Sequence, residues 1–183
     1  MRWTVHGERT IYDSEWMRLA LVDVELPSGP RFDHHVLRMP AEAAGVVVDV
    51  ADRGVLLLWR HRFITDTWGW EVPAGRVDPG ESVLDAAHRE TVEESGWEPG
   101  ELTLMTRYFP ANGTTDATFN LFVTTTATRV GAPTDLDEAE RVEWLTWERV
   151  RDEISRGNVG DGLSLTALLY RIAALPTHFL TCR

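Results

Sequence analysis

Cysteine is almost absent from the sequence, which has 183 residues and a single cysteine, Cys182. One cysteine excludes an internal disulfide and a zinc site built on cysteines. No segment approaches the roughly 18 consecutive apolar residues that would cross a bilayer. The first eight residues also lack the apolar core of a signal peptide. We therefore expect a cytoplasmic protein that has no contact with a membrane.

Basic residues are also scarce. The chain has 18 lysines and arginines against 29 aspartates and glutamates, which gives a formal net charge of -11 and a pI near 4.9. This balance argues against binding to nucleic-acid polymers or anionic membranes, because both usually require a basic surface. An anionic small-molecule substrate would require local arginines or a bridging cation.

The remaining composition, 43% hydrophobic and 26% charged, is that of one soluble domain. We expect an α/β fold in which residues 1–40 form an N-terminal β-hairpin region of the same unit as residues 41–183. Hydrophobic patterns and turn compositions predict strands at 16–26, 31–39, 45–50, 55–59, 102–108, 119–125 and 141–145. Helices are predicted from the N-cap Ser82 to Gly96, and at 148–155 and 164–174.

Three glutamates of the first predicted helix lie on one face, since Glu90 precedes Glu93 by three residues and Glu94 by four. Like charges at this spacing destabilise a helix, and Arg89 can relieve only part of the repulsion. A divalent cation would balance them, and oxygen ligands without histidine or thiolate favour Mg²⁺ or Mn²⁺ over zinc. A solvated acidic helix face is the alternative for the glutamates taken alone.

The residues around these glutamates favour the metal site. Residues 75–97, which we call the box, match the fixed positions of the pattern Gly-x5-Glu-x7-Arg-Glu-U-x-Glu-Glu-x-Gly-U, where U is a bulky apolar residue. Thr91 and Trp97 fill the two U positions, which usually hold aliphatic residues. The pattern is carried by Gly75, Glu81, Arg89, Glu90, Glu93, Glu94 and Gly96. It resembles the signature of the Nudix hydrolases, which implies an α/β/α sandwich with a mixed central sheet.

The resemblance also implies roles for the box residues. Glu90 and Glu94 would be the main ligands of Mg²⁺, with Mn²⁺ as the alternative cation. Glu93 would be a further ligand or hold a catalytic water, and Arg89 would orient the glutamates. The bound metal would neutralise the phosphorus oxygens of a diphosphate, so that an acidic protein can attack an acidic substrate.

Upstream of the box, residues 57–62 and 70–75 are similar to the ADP-ribose pyrophosphatase branch of the family. By this resemblance the carbonyl oxygen of Ala74 is a metal ligand and Arg62 binds the diphosphate. Glu71 and Gly75 belong to the same substrate-binding stretch. A surface charge at a strand end is the alternative for Arg62.

In the same branch an N-terminal hairpin is exchanged or packed between two subunits, and residues 9–39 fit that hairpin. A homodimer is therefore expected. Trp16 becomes a candidate for stacking on the base, or for interface core, and Arg38 a candidate for a phosphate contact.

Two loops complete the expected site. Asn112 stands where the branch has a proline, so other nucleotide sugars compete with ADP-ribose as the expected substrate. The acidic loop 134–140 resembles the loop that supplies the general base, which would be Glu138, with Glu140 as an additional metal ligand. A solvated acidic loop is the alternative.

Together these features predict Mg²⁺-dependent hydrolysis of ADP-ribose or a similar nucleoside diphosphate sugar to a nucleoside monophosphate and a sugar phosphate. A nucleoside triphosphate pyrophosphohydrolase acting on oxidised nucleotides is one alternative. A nucleotide-sugar sensor without turnover is another.

Overall fold

The computed structural model of the chain describes residues 1–134 and 139–175. Its contacts divide the chain into two compact units. The first, the N-terminal unit, comprises Met1–Glu42 and Phe109–Thr118. The second, the main unit, comprises Ala43–Tyr108 and the described residues from Phe119 onward. None of the helices in the described residues is both long and apolar enough to cross a membrane.

The N-terminal unit is a three-stranded antiparallel sheet in the order β1-β2-β3. Its strands are β1 (Thr4–Asp13), β2 (Arg18–Glu25) and β3 (Arg31–Arg38). The expected hairpin is β2 and β3, and its turn contains Gly29 with a φ of 102°. Strand β1 is an addition to the predicted hairpin, and every residue of it is exposed.

The main unit contains a mixed seven-stranded sheet and three helices among its described residues. The sheet strands are β4 (Ala43–Val50), β5 (Gly54–Arg62), β6 (Thr67–Glu71), β7 (Ala74–Arg76), β9 (Thr103–Tyr108), β10 (Phe119–Thr124) and β12 (Arg141–Leu145). The helices are α1 (Val83–Ser95), α2 (Trp147–Ser155) and α3 (Gly162–Ala174). Strands β8 (Trp97–Pro99) and β11 (Ala127–Arg129) form a separate pair.

The central order of the sheet is β12-β5-β4-β10-β9, with β6 beside β5 and β7 beside β4. Strands β4 and β10 run parallel, and the other pairings are antiparallel.

Strand β4 is buried on both faces, as expected for a central strand covered by helices. Val46 and Val48 belong to a core with Ala86 and Ala87 of α1. Val47 belongs to the opposite core, which includes residues of α2 and α3. The alternation of side chains along one strand thus separates two cores, and the expected α/β/α sandwich is confirmed.

Helix α1 begins and ends where the sequence predicts. The side chain of Ser82 accepts a hydrogen bond from the amide of Asp85, as an N-cap does. Gly96 adopts a left-handed conformation with φ of 72°, and its amide donates to the carbonyl of Val92. A side chain on Gly96 would also press against the carbonyl oxygen of Gly131, 2.6 Å from an ideal Cβ. These constraints fix the length of the helix that carries the box glutamates.

Candidate active site

Arg89 is the central cation of the box. Its Nε and Nη2 donate to the two carboxylate oxygens of Glu81, both at 2.9 Å. Its Nη1 donates to Glu90 at 2.8 Å and to Glu93 at 3.0 Å, and Nη2 also reaches the carbonyl of Arg76 at 3.0 Å. Arg89 therefore balances Glu90 and Glu93 together with Glu81, whereas Glu94 pairs with Arg60. As expected, Arg89 relieves only part of the repulsion among the three helix glutamates.

These contacts change the proton affinities of both partners. The hydrogen bonds from Arg89 lower the pKa of Glu81, and those to Glu81 are the largest cause that raises the pKa of Arg89. The two groups remain charged across the physiological range. Glu81 thereby orients Arg89, a role that the box pattern alone did not assign to it.

Glu90 is packed against the backbone of β7. An ideal Cβ on Gly75 would overlap the Glu90 carboxylate carbon and both its oxygens. Gly75 pairs with Ala44 of the central strand β4, so its backbone is held within the sheet. The box therefore requires glycine at this position because the carboxylate occupies the space of a side chain.

Glu94 also lies against β7 and is almost completely buried, with 2% of its side chain exposed. Its Oε2 accepts from the amide of Ala74 at 2.9 Å, and its Oε1 accepts from Nη1 of Arg60 at 2.8 Å. Glu90 and Glu94 thus contact two consecutive residues of β7. Arg60 itself is a functional candidate that the sequence analysis missed.

A second ion pair adjoins this one. Arg62 donates to Glu71 through Nε at 2.9 Å and through Nη2 at 2.6 Å, and this bidentate contact raises the pKa of Arg62. Glu71 has only 5% of its side chain exposed, whereas Arg62 has 51%. The carboxylate of Glu71 therefore orients Arg62, and the guanidinium reaches solvent. Both residues line a cavity of about 490 Å³ with Asp161, Gly160 and other residues of β6 and the α2–α3 loop.

The donor set fits a hard divalent cation, because Glu90, Glu93 and Glu94 offer only oxygen from successive turns of one helix. Glu90 contacts Gly75 and Glu94 contacts Ala74, so the backbone of β7 lies beside these carboxylates. No group of three or more His, Cys, Asp or Glu side chains in the described residues is already arranged to hold a metal ion. A cation would compete with Arg89 for Glu90 and Glu93.

The family model of the NUDIX domain matches residues 39–163 of the chain. This chain belongs to the Nudix family. The match includes the whole box and the strands that flank it, so the expected family and the expected enzyme class, a Nudix hydrolase, are confirmed.

Individual relatives agree with this assignment. The chain is 36% identical over 172 residues to a CMP-5'-(N-acetyl-N-hydroxy-3-aminopropyl)phosphonate hydrolase of Streptomyces rubellomurinus, covering 92% of this chain and 83% of that one. It is 29% identical over 167 residues to the ADP-ribose pyrophosphatase of Bacillus subtilis, covering 90% and 89%. The crystal structure of an ADP compounds hydrolase superimposes with a TM-score of 0.83 at 22% identity, covering 94% of each chain, which shows the shared fold.

The remaining predicted residues of this Nudix enzyme lie in other segments. Glu138, the predicted base, lies outside the described residues. Glu140 is exposed, and its amide donates to the carbonyl of Trp59 at 2.9 Å. The amide of Thr134 donates to the carbonyl of Glu93 at 2.9 Å. The described residues on either side of 135–138 are therefore hydrogen-bonded to α1 and to β5.

Trp16 and Arg38 belong to the N-terminal unit, which is separate from the unit that carries the box. Trp16 is 65% exposed. Arg38 donates to Glu8 at 2.5 Å and to Asp116 at 3.3 Å, and the bond to Glu8 is the main cause of its raised pKa. Arg38 and Asn112 line a cavity of about 410 Å³ within the N-terminal unit. The charge of Arg38 is already balanced by two carboxylates, so a phosphate would compete with them.

Proposed function

We propose that this Nudix hydrolase uses Mg²⁺, with Mn²⁺ as the alternative, to cleave the diphosphate of ADP-ribose or a related nucleotide conjugate. Water adds across the bond between the two phosphorus groups, so the products are a nucleoside monophosphate and the second moiety with its own phosphate or phosphonate group. The observation that carries the proposal is the convergence of Glu90 and Glu94 on the adjacent residues Gly75 and Ala74. A pair of box carboxylates beside a sheet backbone offers the oxygen ligands that such a cation requires.

The residues that would hold the cation are Glu90, Glu93, Glu94, the carbonyl of Ala74 and Glu140. When bound, the cation supplies charge neutralisation at phosphorus and a more acidic water. Glu138 would accept the proton of the attacking water at its carboxylate, as its place in the acidic loop suggests. Arg89 orients the ligands through its bonds to Glu81 and Glu90.

Arg62 would bind the diphosphate. Its guanidinium is oriented by the buried Glu71, is half-exposed and faces a cavity large enough for part of a nucleotide conjugate. An oriented planar guanidinium offers two parallel donors to phosphate oxygens. Glu71 balances the charge of Arg62, so the oriented donors of Arg62 together with the bound cation would let a chain with net charge -11 accept an anionic substrate.

The identity of the conjugate has two candidates. The ADP-ribose pyrophosphatase of Bacillus subtilis supports an ADP-linked sugar. The Streptomyces rubellomurinus enzyme, at 36% identity over 92% of this chain, supports a cytidine monophosphate joined to a phosphonate. Both names describe a nucleoside monophosphate joined to a second moiety. We therefore propose a substrate that contains this nucleoside monophosphate group, and the assay below identifies its base.

A product assay with Mg²⁺ tests the function. The panel contains ADP-ribose, cytidine and uridine diphosphate sugars, a CMP-phosphonate conjugate, and normal and oxidised nucleoside triphosphates. We expect release of a nucleoside monophosphate from conjugates, and none after chelation of the metal. Preference for a triphosphate would favour the pyrophosphohydrolase alternative, and tight binding without product would favour the sensor.

We also propose a cytoplasmic homodimer that associates through the N-terminal unit. The unit exposes several large apolar side chains, including Trp3, Ile11, Tyr12 and Trp16. Ile11 and Tyr12 lie in β1, and Trp3 and Trp16 lie just before and after that strand. Several exposed apolar groups in one small unit are typical of an association surface. Light scattering on the purified chain tests the stoichiometry, and a monomer at micromolar concentration would contradict it.

A further inference from the structure

Arg60 lies between two buried carboxylates, although it occupies the interior of a sheet strand. Its side chain is 3% exposed, and its Nη1 is 2.8 Å from Oε1 of Glu94 and 3.8 Å from Oε2 of Glu71. A buried arginine is retained only when its charge is paired, and among the described residues Glu94 of α1 and Glu71 of β6 provide carboxylate partners. Arg60 therefore joins helix α1, which carries the proposed metal ligands, to strand β6, which carries Glu71.

The geometry of the β5–β6 pair accounts for this position. Leu58, Arg60 and Arg62 alternate onto one face of β5, and Leu58 is directly opposite Glu71. The residue opposite Arg60 is Gly69, and a side chain there would press against the carbonyl oxygen of Asn158, 3.1 Å from an ideal Cβ. Glu71 consequently lies between two arginines of the same strand face, in contact with Arg62 at one side and near Arg60 at the other.

The two oxygens of Glu94 have different partners. Arg60 holds Oε1, and the amide of Ala74 holds Oε2. Two donors from two strands fix both the rotation and the tilt of the carboxylate, while a carboxylate retains further lone pairs for another ligand. Partners of this kind orient metal ligands in proteins, and their removal typically weakens metal binding.

We propose that Arg60 is a positioning residue that orients Glu94 for the divalent cation and, through Glu71, joins it to the substrate-binding Arg62. This inference rests on the proposed metal-dependent hydrolysis. The role assigned to Arg60, whose side chain is 3% exposed, acts through Glu94 and Glu71. A lysine at this position would retain the charge but not the planar fork of donors, so it would hold Glu94 less firmly.

The test uses two changes that limit the damage to folding. Arg60→Lys keeps the charge, and the double variant Arg60→Gln with Glu71→Gln removes one charge of each sign. Glu71→Gln alone isolates the effect on Arg62. Arg171→Gln is the matched control, because Arg171 pairs with the mostly buried Asp49 at 2.7 Å, outside this network. Circular dichroism verifies folding in every variant.

The main readout is Mn²⁺ binding without substrate, measured from the electron paramagnetic resonance signal of free Mn²⁺. We expect the dissociation constant to rise by about 10- to 100-fold in the double variant and by less in Arg60→Lys. Glu71→Gln should change this constant less than about twofold but raise KM, because it acts on Arg62. Arg171→Gln should bind Mn²⁺ as the wild type does.

Wild-type Mn²⁺ binding in both Arg60 variants would overturn the inference, and so would loss of the folded state in both, since Arg60 would then be purely structural. Parallel assays of the wild type separate this failure from failure of the proposed function. A wild type that hydrolyses conjugates with metal, beside Arg60 variants of unchanged Mn²⁺ affinity, refutes only the role of Arg60. A wild type that neither binds Mn²⁺ nor hydrolyses conjugates refutes the function and this inference with it.

Discussion

Gly75 and Glu90 are packed so closely that the carboxylate of Glu90 occupies the position of the side chain that Gly75 lacks. The contact joins strand β7 directly to helix α1, which carries the box glutamates. The glycine of the box thus has a steric function, since the backbone of β7 and the carboxylate must approach each other directly.

Gly75→Ala should displace Glu90 and disrupt the metal site. A misplacement of about 1 Å at a catalytic group can lower the rate by on the order of 100-fold, and we expect kcat/KM to fall by at least that much. Mn²⁺ binding should weaken in parallel. Gly7→Ala is the matched control, because no atom lies within 4 Å of an ideal Cβ at Gly7. Equal activity of the two variants would show that the site tolerates a side chain at position 75.

Glu94→Gln and Glu138→Gln should separate metal binding from proton transfer. Loss of the Glu94 charge should abolish turnover through loss of the cation, because Glu94 is a buried ligand candidate at the centre of the site. Glu138→Gln should slow the chemical step by about 100- to 10,000-fold and leave Mg²⁺ affinity nearly intact. Calorimetric titration of Mg²⁺ with parallel kinetics measures both effects. Equal loss of metal in the two variants would refute the division of roles.

Arg62→Ala should mainly raise KM for diphosphate substrates, by about 10- to 100-fold, since a charge-assisted hydrogen bond contributes about 1.5–3 kcal/mol. The value of kcat should change less because Arg62 is proposed to bind substrate and transition state alike. Arg156→Ala is the control, an exposed arginine paired with Asp152 in α2. An unchanged KM for Arg62→Ala would remove this residue from the site.

The sequence predicted the parts of the fold that have local signals. Ser82 and Gly96 gave the bounds of α1 because a cap and a left-handed glycine are encoded by single residues. Strand β1 was missed because all ten of its residues are exposed, so no alternation between a buried and a solvated face marks it. Strands β6 and β7, short and separated by Pro73, gave no pattern of their own.

The same distinction applies to the site. The box pattern identified Glu90, Glu93 and Glu94, since their spacing is local. Glu81 and Arg89 are both fixed positions of the box, but the pattern does not show that their side chains pair. The role of Arg60 depends on a partner 34 residues away, and no spacing rule connects the two. A signal for Arg60 did exist: an arginine within the buried run 55–60 of β5 must have a partner for its charge. The identity of that partner required the structure.

Stability should depend on pH through Glu81. The hydrogen bonds from Arg89 lower the pKa of Glu81 in the folded state below that of an unfolded chain, which is about 4.3. Ionised Glu81 therefore stabilises the fold fully above that value, and the contribution is lost as pH falls through the lower, folded-state pKa.

Glu81→Gln removes the contribution, so the free energy of unfolding should differ most between wild type and variant near pH 7. The difference should shrink below about pH 4. Urea denaturation with a chelator at pH 7, 5 and 3.5 measures it without interference from metal. A difference that stays constant across these pH values would show that the Glu81–Arg89 contact does not contribute to stability as an ion pair.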